Sequence, residues 1–147
     1  MSPGSDPSAQ ELAEACAAAL WADDTASREL GMALDRVAPG EAVLSMTVTG
    51  AMTNGHGTAH GGYMFTLADS AFAYACNSRN QRTVAQHCSI TYLAPSAIGD
   101  RLTAHATERA LVGRNGIYDI IVTDQTGRLV AEFRGHSRTV EGTLLGA

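Results

Sequence analysis

Apolar residues fall at helical spacing near the start of the chain and at alternating spacing over most of the rest. Leu12, Cys16, Ala19 and Leu20 share one helical face. Ser8 followed by Glu11 has the pattern of a capping box, so a helix is predicted from Ser8 to about Trp21. Met32–Val37 and Glu41–Val48 read as strands around the turn Ala38–Pro39–Gly40. In the second, Val43, Ser45, Thr47 and Thr49 alternate with Leu44, Met46 and Val48. Thr53–Gly57 is a polar loop with an Asn-Gly pair. His60–Ser78 breaks the alternation as one long run of small and apolar residues, predicted as a helix. Four strands follow: Val84–Leu93, stopped by Pro95, then Leu102–Val112, Gly116–Asp124 and Leu129–Val140. Gly113–Gly116 is a tight connection and Asp124–Gly127 a turn. Strands around a lone apolar helix predict an antiparallel sheet with that helix on one face, an α+β fold. There is no internal repeat. Met1–Pro7, rich in Ser, Pro and Gly, is expected to fray, and residues 8–143 to form one domain.

Gly61–Ser78 is apolar enough to be compared with a membrane span. It carries one formal charge, Asp69, but also Gly61, Gly62, Thr66, Ser70, Asn77 and Ser78, and its aromatics form no belt at the ends. A carboxylate in mid-segment costs ~2.5–3.5 kcal/mol on insertion scales. A buried helix at the centre of a water-soluble fold fits better. A chain of 147 residues can bury roughly 70% of its unfolded surface, so no disulfide or metal staple is needed.

Composition removes several chemistries. The net charge of −5 argues against non-specific nucleic-acid binding. All ten basic side chains are Arg. Without Lys there is no Schiff base, no PLP lysine and no P-loop lysine. A polyanionic ligand must therefore be held by Arg, backbone N–H groups or helix N-termini. Cys16, Cys76 and Cys88 are odd in number and widely spaced, with no C-x-x-C pair, which argues against a structural zinc site or a redox motif. Cys76 and Cys88 are expected to be small buried hydrophobes, in a reducing cytoplasm. Met1–Ser8 lacks a basic region followed by an apolar run, so no signal peptide is expected.

The candidate chemistry lies in the apolar helix. Asp69 sits among Leu67, Ala68, Ala71, Phe72 and Ala73, with no opposite charge within four residues. It is held by hydrogen bonds from elsewhere, or it faces a cavity or interface, or it simply projects into solvent from a helix flank. Burial would raise its pKa and make it a better base. Upstream, His60-Gly61-Gly62 opens the helix. The first turn of a helix has free N–H groups and favours negative charge, and glycine leaves no Cβ in a ligand's way. That suits an oxyanion hole for a thioester carbonyl, although an ordinary helix entry would have the same pattern. His60 has no partner at metal-ligand spacing and is read as capping or orienting the turn. His56, His87, His105 and His136 are read as scattered. Gly113-Arg114-Asn115-Gly116 could hold a nucleotide phosphate or be only a hairpin turn.

Gly61 and Asp69 are eight residues apart, roughly 12 Å along a helix. A base acting through one water and an oxyanion donor must both lie near one carbonyl carbon. One helix can hardly supply both. If both act, they come from two subunits with helices paired antiparallel across a two-fold axis, which predicts a dimer with two equivalent sites. No G-x-S-x-G elbow, H-E-x-x-H pair or G-x-G-x-x-G fingerprint is present.

Asn54-Gly55-His56 together with the run from His60-Gly61-Gly62-Tyr63-Met64 to Asn77-Ser78 resembles the hotdog thioesterases of phenylacetic acid degradation, the PaaI type. The likeness continues through Ile90–Pro95, Gly99–Leu102, Gly116–Ile120 and Val130–Gly135, so it spans about residues 25–143. It implies a hotdog fold: a six-stranded antiparallel sheet wrapped around the central helix, with a short N-terminal helix added. It implies a homotetramer, a dimer of dimers with active sites between subunits. Carried over by position, Asp69 is the general base or nucleophile and Gly61 offers its N–H to the thioester oxygen. Asn54 helps hold the attacking water or the carboxylate, His60 supports the carbonyl side, and Gly62 lines the substrate. Arg114 and Asn115 lie where the family commonly meets CoA phosphates. Family members often carry a basic residue before the proline of the strand motif. Here it is Ala94, so that contact is either absent or supplied elsewhere.

The implied reaction is hydrolysis of a phenylacetyl-type or hydroxyphenylacetyl-type CoA thioester to free acid and CoA, with no metal or cofactor. Two other readings stand beside it. A dehydratase or hydratase acting on acyl-CoA would use His60 and Asp69 as a paired base and acid. A non-catalytic acyl-CoA sensor would bind without turnover.

Overall fold

The computed structural model describes residues 6–146. The fraying expected of Met1–Ser5 therefore falls outside the described residues. Helix α1 (Ala9–Asp23) starts at the predicted capping box: the Glu11 N–H donates to Ser8 Oγ at 3.1 Å, and the Ser8 N–H donates back to the Glu11 carboxylate at 3.2 Å. It ends at Asp24, which at once caps a second helix, α2 (Thr25–Glu29), by accepting from the Ser27 N–H at 3.1 Å. The sequence reading missed α2, because five residues are too few to show a helical period.

Strands β1 (Ala33–Ala38) and β2 (Glu41–Thr47) form a hairpin. A 3₁₀ turn at Gly50–Met52 leads through a polar loop to helix α3 (Gly61–Cys76). Strands β3 (Thr83–Tyr92), β4 (Arg101–Val112), β5 (Asn115–Thr123) and β6 (Leu129–Thr139) complete the chain. They form one six-stranded sheet in the order β1-β2-β4-β5-β6-β3, antiparallel throughout, as a hotdog fold requires.

Alternation along the strands sends one set of side chains toward α3. Leu44, Met46, Leu102, Ile120, Val122 and Phe133 are at most 2% exposed, and they meet Leu67, Ala68, Ala71 and Phe72 of the helix. The Phe72 ring lies 5.5 Å from Tyr118 and 6.1 Å from Phe133, centre to centre. The helix seats so closely that a Cβ on Gly135 would stand 2.8 Å from the Phe72 ring. Each such side chain contributes about 1.5–3 kcal/mol through burial, which is what holds α3 against the sheet.

The far end of α3 is tied to β3 through Asn77. Its amide donates to Ala73 O at 2.9 Å and Thr83 O at 3.0 Å, and accepts from the Thr83 N–H at 2.9 Å. One flank of α3 is closed by α1 and α2: the Tyr74 hydroxyl donates to Asp24 at 2.9 Å, and the Ser27 and Ser70 hydroxyls are 2.8 Å apart. The opposite flank faces edge strand β3.

The outer face of the sheet carries ion pairs, Arg109 and Arg134 on Asp119, and Arg36 on Glu41. Three histidines read as scattered lie on that face, and two of them meet. His87 and His136 are cross-strand neighbours, edge to face at 5.5 Å, and His105 is 2.9 Å from Glu41. Strand register brings His87 and His136 together, and residue spacing alone does not reveal it.

Candidate active site

The loop before α3 is folded by Asn54. Its Oδ1 accepts from the His56 and Thr58 N–H groups at 2.9 and 3.2 Å, and its Nδ2 donates to Thr58 Oγ1 at 3.1 Å. The loop then docks on the body: the Ala59 N–H donates to Ser96 O at 2.8 Å and the His60 N–H to Met52 O at 2.7 Å. His60 is the N-cap of α3, its Nδ1 accepting from the Gly62 N–H at 2.9 Å. In the neutral ring the proton therefore sits on Nε2. The Gly62 N–H is thus occupied, whereas the Gly61 N–H has no acceptor among the described residues. Asn54, His60, Gly61 and Gly62 all belong to this one N-terminal cluster.

The need for glycine at 61 has a cause the sequence did not show. Tyr92, at the end of β3, donates its hydroxyl to Gly61 O at 2.8 Å, and a Cβ on Gly61 would stand 2.7 Å from its ring. What glycine makes room for is first of all this side chain, 31 residues away. No local pattern signals such a contact.

Asp69 lies two turns further along α3, roughly 12 Å from Gly61. It is half-buried, and its carboxylate makes no hydrogen bond or ion pair with the described residues. Burial alone holds its pKa above the usual carboxylate range. It is on the flank that faces β3: burial pushes the Cys88 thiol up to about 11, and the Asp69 charge adds to that shift. Cys76, also near Asp69, is pushed up to about 12, chiefly by burial. Cys76 is buried as expected, but Cys88 is only half-buried, because it sits on an edge strand beside the open flank of α3. Phe65, whose ring is 5.1 Å from Phe133, and Ile90 give this flank an apolar wall.

Arg114 and Asn115 are elsewhere in the chain. They form the exposed tip of the β4–β5 hairpin, beside Thr139 and Asn80 near the C-terminal end of α3. The helix has 16 residues, so this end is roughly 24 Å from Gly61. Two sizeable grooves, about 390 Å³ over Asp119 and Arg134 and about 510 Å³ between α1 and β1, include neither Asp69 nor Gly61. Among the described residues no group of three or more His, Cys, Asp or Glu side chains could hold a metal ion, and no helix is long and apolar enough to cross a membrane.

Residues 56–131 match the family model described as the thioesterase superfamily. The chain is 45% identical over 128 residues to the acyl-coenzyme A thioesterase PaaI of Escherichia coli K12, covering 87% of this chain and 91% of that one. It superposes on the structure of the E. coli PaaI protein from the phenylacetic acid degradation operon with a TM-score of 0.91 at 43% identity, over 92% of this chain and 99% of that one. A variant of the phenylacetic acid degradation protein PaaI from Thermus thermophilus gives a TM-score of 0.75 at 40% identity, over 78% and 97% of the two chains.

Proposed function

This chain belongs to the thioesterase superfamily and hydrolyses acyl-CoA thioesters, and on that premise we propose that its substrates are phenylacetyl-type and hydroxyphenylacetyl-type CoA esters, cleaved at sites completed by a second copy. The observation that carries this reading is Asp69: a half-buried carboxylate with a raised pKa and no partner among the described residues, on the flank of α3 beside an open sheet edge.

The chemistry needs two groups. The Gly61 N–H receives the oxygen of the thioester carbonyl as it gains negative charge. Asp69 takes the proton of an attacking water, or itself attacks the carbonyl carbon to give an anhydride that water then opens. In both routes the C–S bond breaks, the electron pair leaves on sulfur, and CoA departs as the thiol. The free hydrogen of Asn54 Nδ2 holds the water or the carboxylate, and His60 and Gly62 shape the carbonyl side. The helical rise of roughly 12 Å between Gly61 and Asp69 supports pairing of two chains, with Gly61 from one and Asp69 from the other serving one carbonyl. Arg114 and Asn115, near the far end of α3, then reach the CoA phosphates of a site completed by another subunit of a dimer of dimers. The reaction needs no metal or cofactor. Residues 8–143 act as one catalytic domain, in the cytoplasm, where acyl-CoA is found.

The test is CoA release from phenylacetyl-CoA, hydroxyphenylacetyl-CoA and a short aliphatic acyl-CoA. An aryl ester should lead by about tenfold or more in kcat/KM, the scale set by roughly 1–3 kcal/mol of acyl-pocket contact. Equal rates on the aliphatic ester would refute the aryl preference and leave the hydrolase in place.

A further inference from the structure

The first turn of a helix is its least supported part, because its N–H groups have no partner four residues back. In α3 that turn carries the Gly61 N–H, follows a loop, and is gripped from outside by Tyr92. The Tyr92 hydroxyl donates to Gly61 O at 2.8 Å. The ring packs so closely that a Cβ on residue 61 would stand 2.7 Å from Cζ and 2.9 Å from the hydroxyl oxygen. Partial burial holds the phenol above its ordinary pKa, so near neutral pH it keeps the proton it donates. The backbone carrying Tyr92 is itself fixed: Tyr92 pairs with Ala131, and the N–H groups of Leu93 and Ala94 donate to Val130 O at 2.8 and 3.2 Å. Yet the side chain is 49% exposed and adds little to the core.

Resting on the hydrolase reading above, we infer that Tyr92 is a positioning residue of the reaction: it clamps the first turn of α3 to β3 and so fixes the direction in which the Gly61 N–H meets the thioester oxygen. Residues 61 and 92 are a matched pair, glycine because the tyrosine is there and tyrosine because the turn needs an outside hold. Misplacement of a catalytic group by 1 Å can cost about 10²-fold, so a clamp with one hydrogen bond has a measurable effect on kcat.

The experiment compares wild type with Tyr92→Phe, Gly61→Ala, Tyr92→Leu and the double variant Gly61→Ala/Tyr92→Leu. Steady-state CoA release and hydrogen exchange of the 59–67 segment are both read. Tyr92→Phe keeps the ring and loses the hydroxyl; kcat should fall about tenfold with KM within about twofold, and the segment should exchange several-fold faster. Gly61→Ala keeps the N–H but meets the ring, and should lose about 100-fold. Removing the ring in the double variant should recover about tenfold of that loss. A purely structural Tyr92 would lower Tm and leave kcat of the folded enzyme unchanged. Wild-type kcat and exchange in Tyr92→Phe, or a double variant no more active than Gly61→Ala, overturns the inference. If wild type releases no CoA, the hydrolase reading fails instead. The clamp is then decided by exchange alone, and an unchanged rate in Tyr92→Phe overturns it.

Discussion

The two edges of the sheet are finished differently. β1 is six residues long, carries the charged Asp35 and Arg36, and is broken by a bulge between Leu34 and Arg36. Helix α1 lies along it, and Gln10 donates its amide to Val37 O at 2.8 Å. These are ordinary means of stopping an edge from recruiting another strand. β3, at the other end, is ten residues long, contains no Asp, Glu, Lys, Arg or Pro, and leaves Val84 and Tyr92 about half exposed. Among the described residues no other strand pairs with its outer edge. Asp69 lies on the flank of α3 beside that open edge, while Ser70 and Tyr74 on the other flank are bonded to the α2 region. On the proposed pairing of two chains, an interface that closed the β3 edge would also cover the carboxylate, and would so join assembly to catalysis.

The sharpest test of that link is Asp69→Ala. Loss of the carboxylate should lower kcat for CoA release by about 10²–10⁴-fold while circular dichroism shows an intact fold. A rate within about threefold of wild type would mean that the open flank holds no catalyst. Next in size is a variant that charges the open edge without harming the fold. Val84 and Ser89 face Arg138 and Arg134 on β6, so Val84→Glu/Ser89→Glu should be tolerated within one chain. In a paired edge it repeats acidic charges across the interface, which disfavours pairing. Sedimentation velocity should show smaller species, and activity should fall about 100-fold with them. Dissociated protein at full activity would break the link.

How much of this was readable beforehand depended on the range of the interactions. The Ser8–Glu11 capping box, the Pro39–Gly40 turn and the alternation in Leu44 and Met46 are local, and all were legible. So was the weight placed on the His60–Ser78 run, whose length and resemblance gave the fold and the family. The grip of Tyr92 on Gly61, the His87–His136 pair and the half-open position of Cys88 depend on strand order and register. These arise when residues tens of positions apart pair, and no short window contains them. α2 was missed for the opposite reason: it is too short to have a period, although Asp24 three residues before Ser27 was a capping signal.

A smaller effect should appear in pH. Burial raises the Asp69 pKa in the folded chain, so ionisation is harder folded than unfolded. The stability linked to this group is present in full below the unfolded carboxylate pKa of about 3.9 and is lost as pH rises through the folded value. Asp69→Asn should therefore match wild type in Tm under acid conditions and exceed it near neutrality. The acidic limb of kcat/KM should lie above the ordinary carboxylate range, because the base works only when ionised. A Tm difference that does not change with pH would show that Asp69 is well solvated and that burial against the core of its own chain does not hold its carboxyl up.

The covered edge should respond least. Gln10→Ala removes the donor to Val37 O and leaves that carbonyl to water, at a cost of about 0.5–1.5 kcal/mol in urea unfolding. Assembly and kcat should stay at wild-type values, because the rest of α1, including the buried Ala13, Cys16 and Ala17, still covers β1. Set against Val84→Glu/Ser89→Glu, one edge should affect stability alone and the other assembly and rate together. If Gln10→Ala instead produced larger oligomers, the amide would be what keeps β1 from pairing, and α1 would be an edge guard resting on a single hydrogen bond.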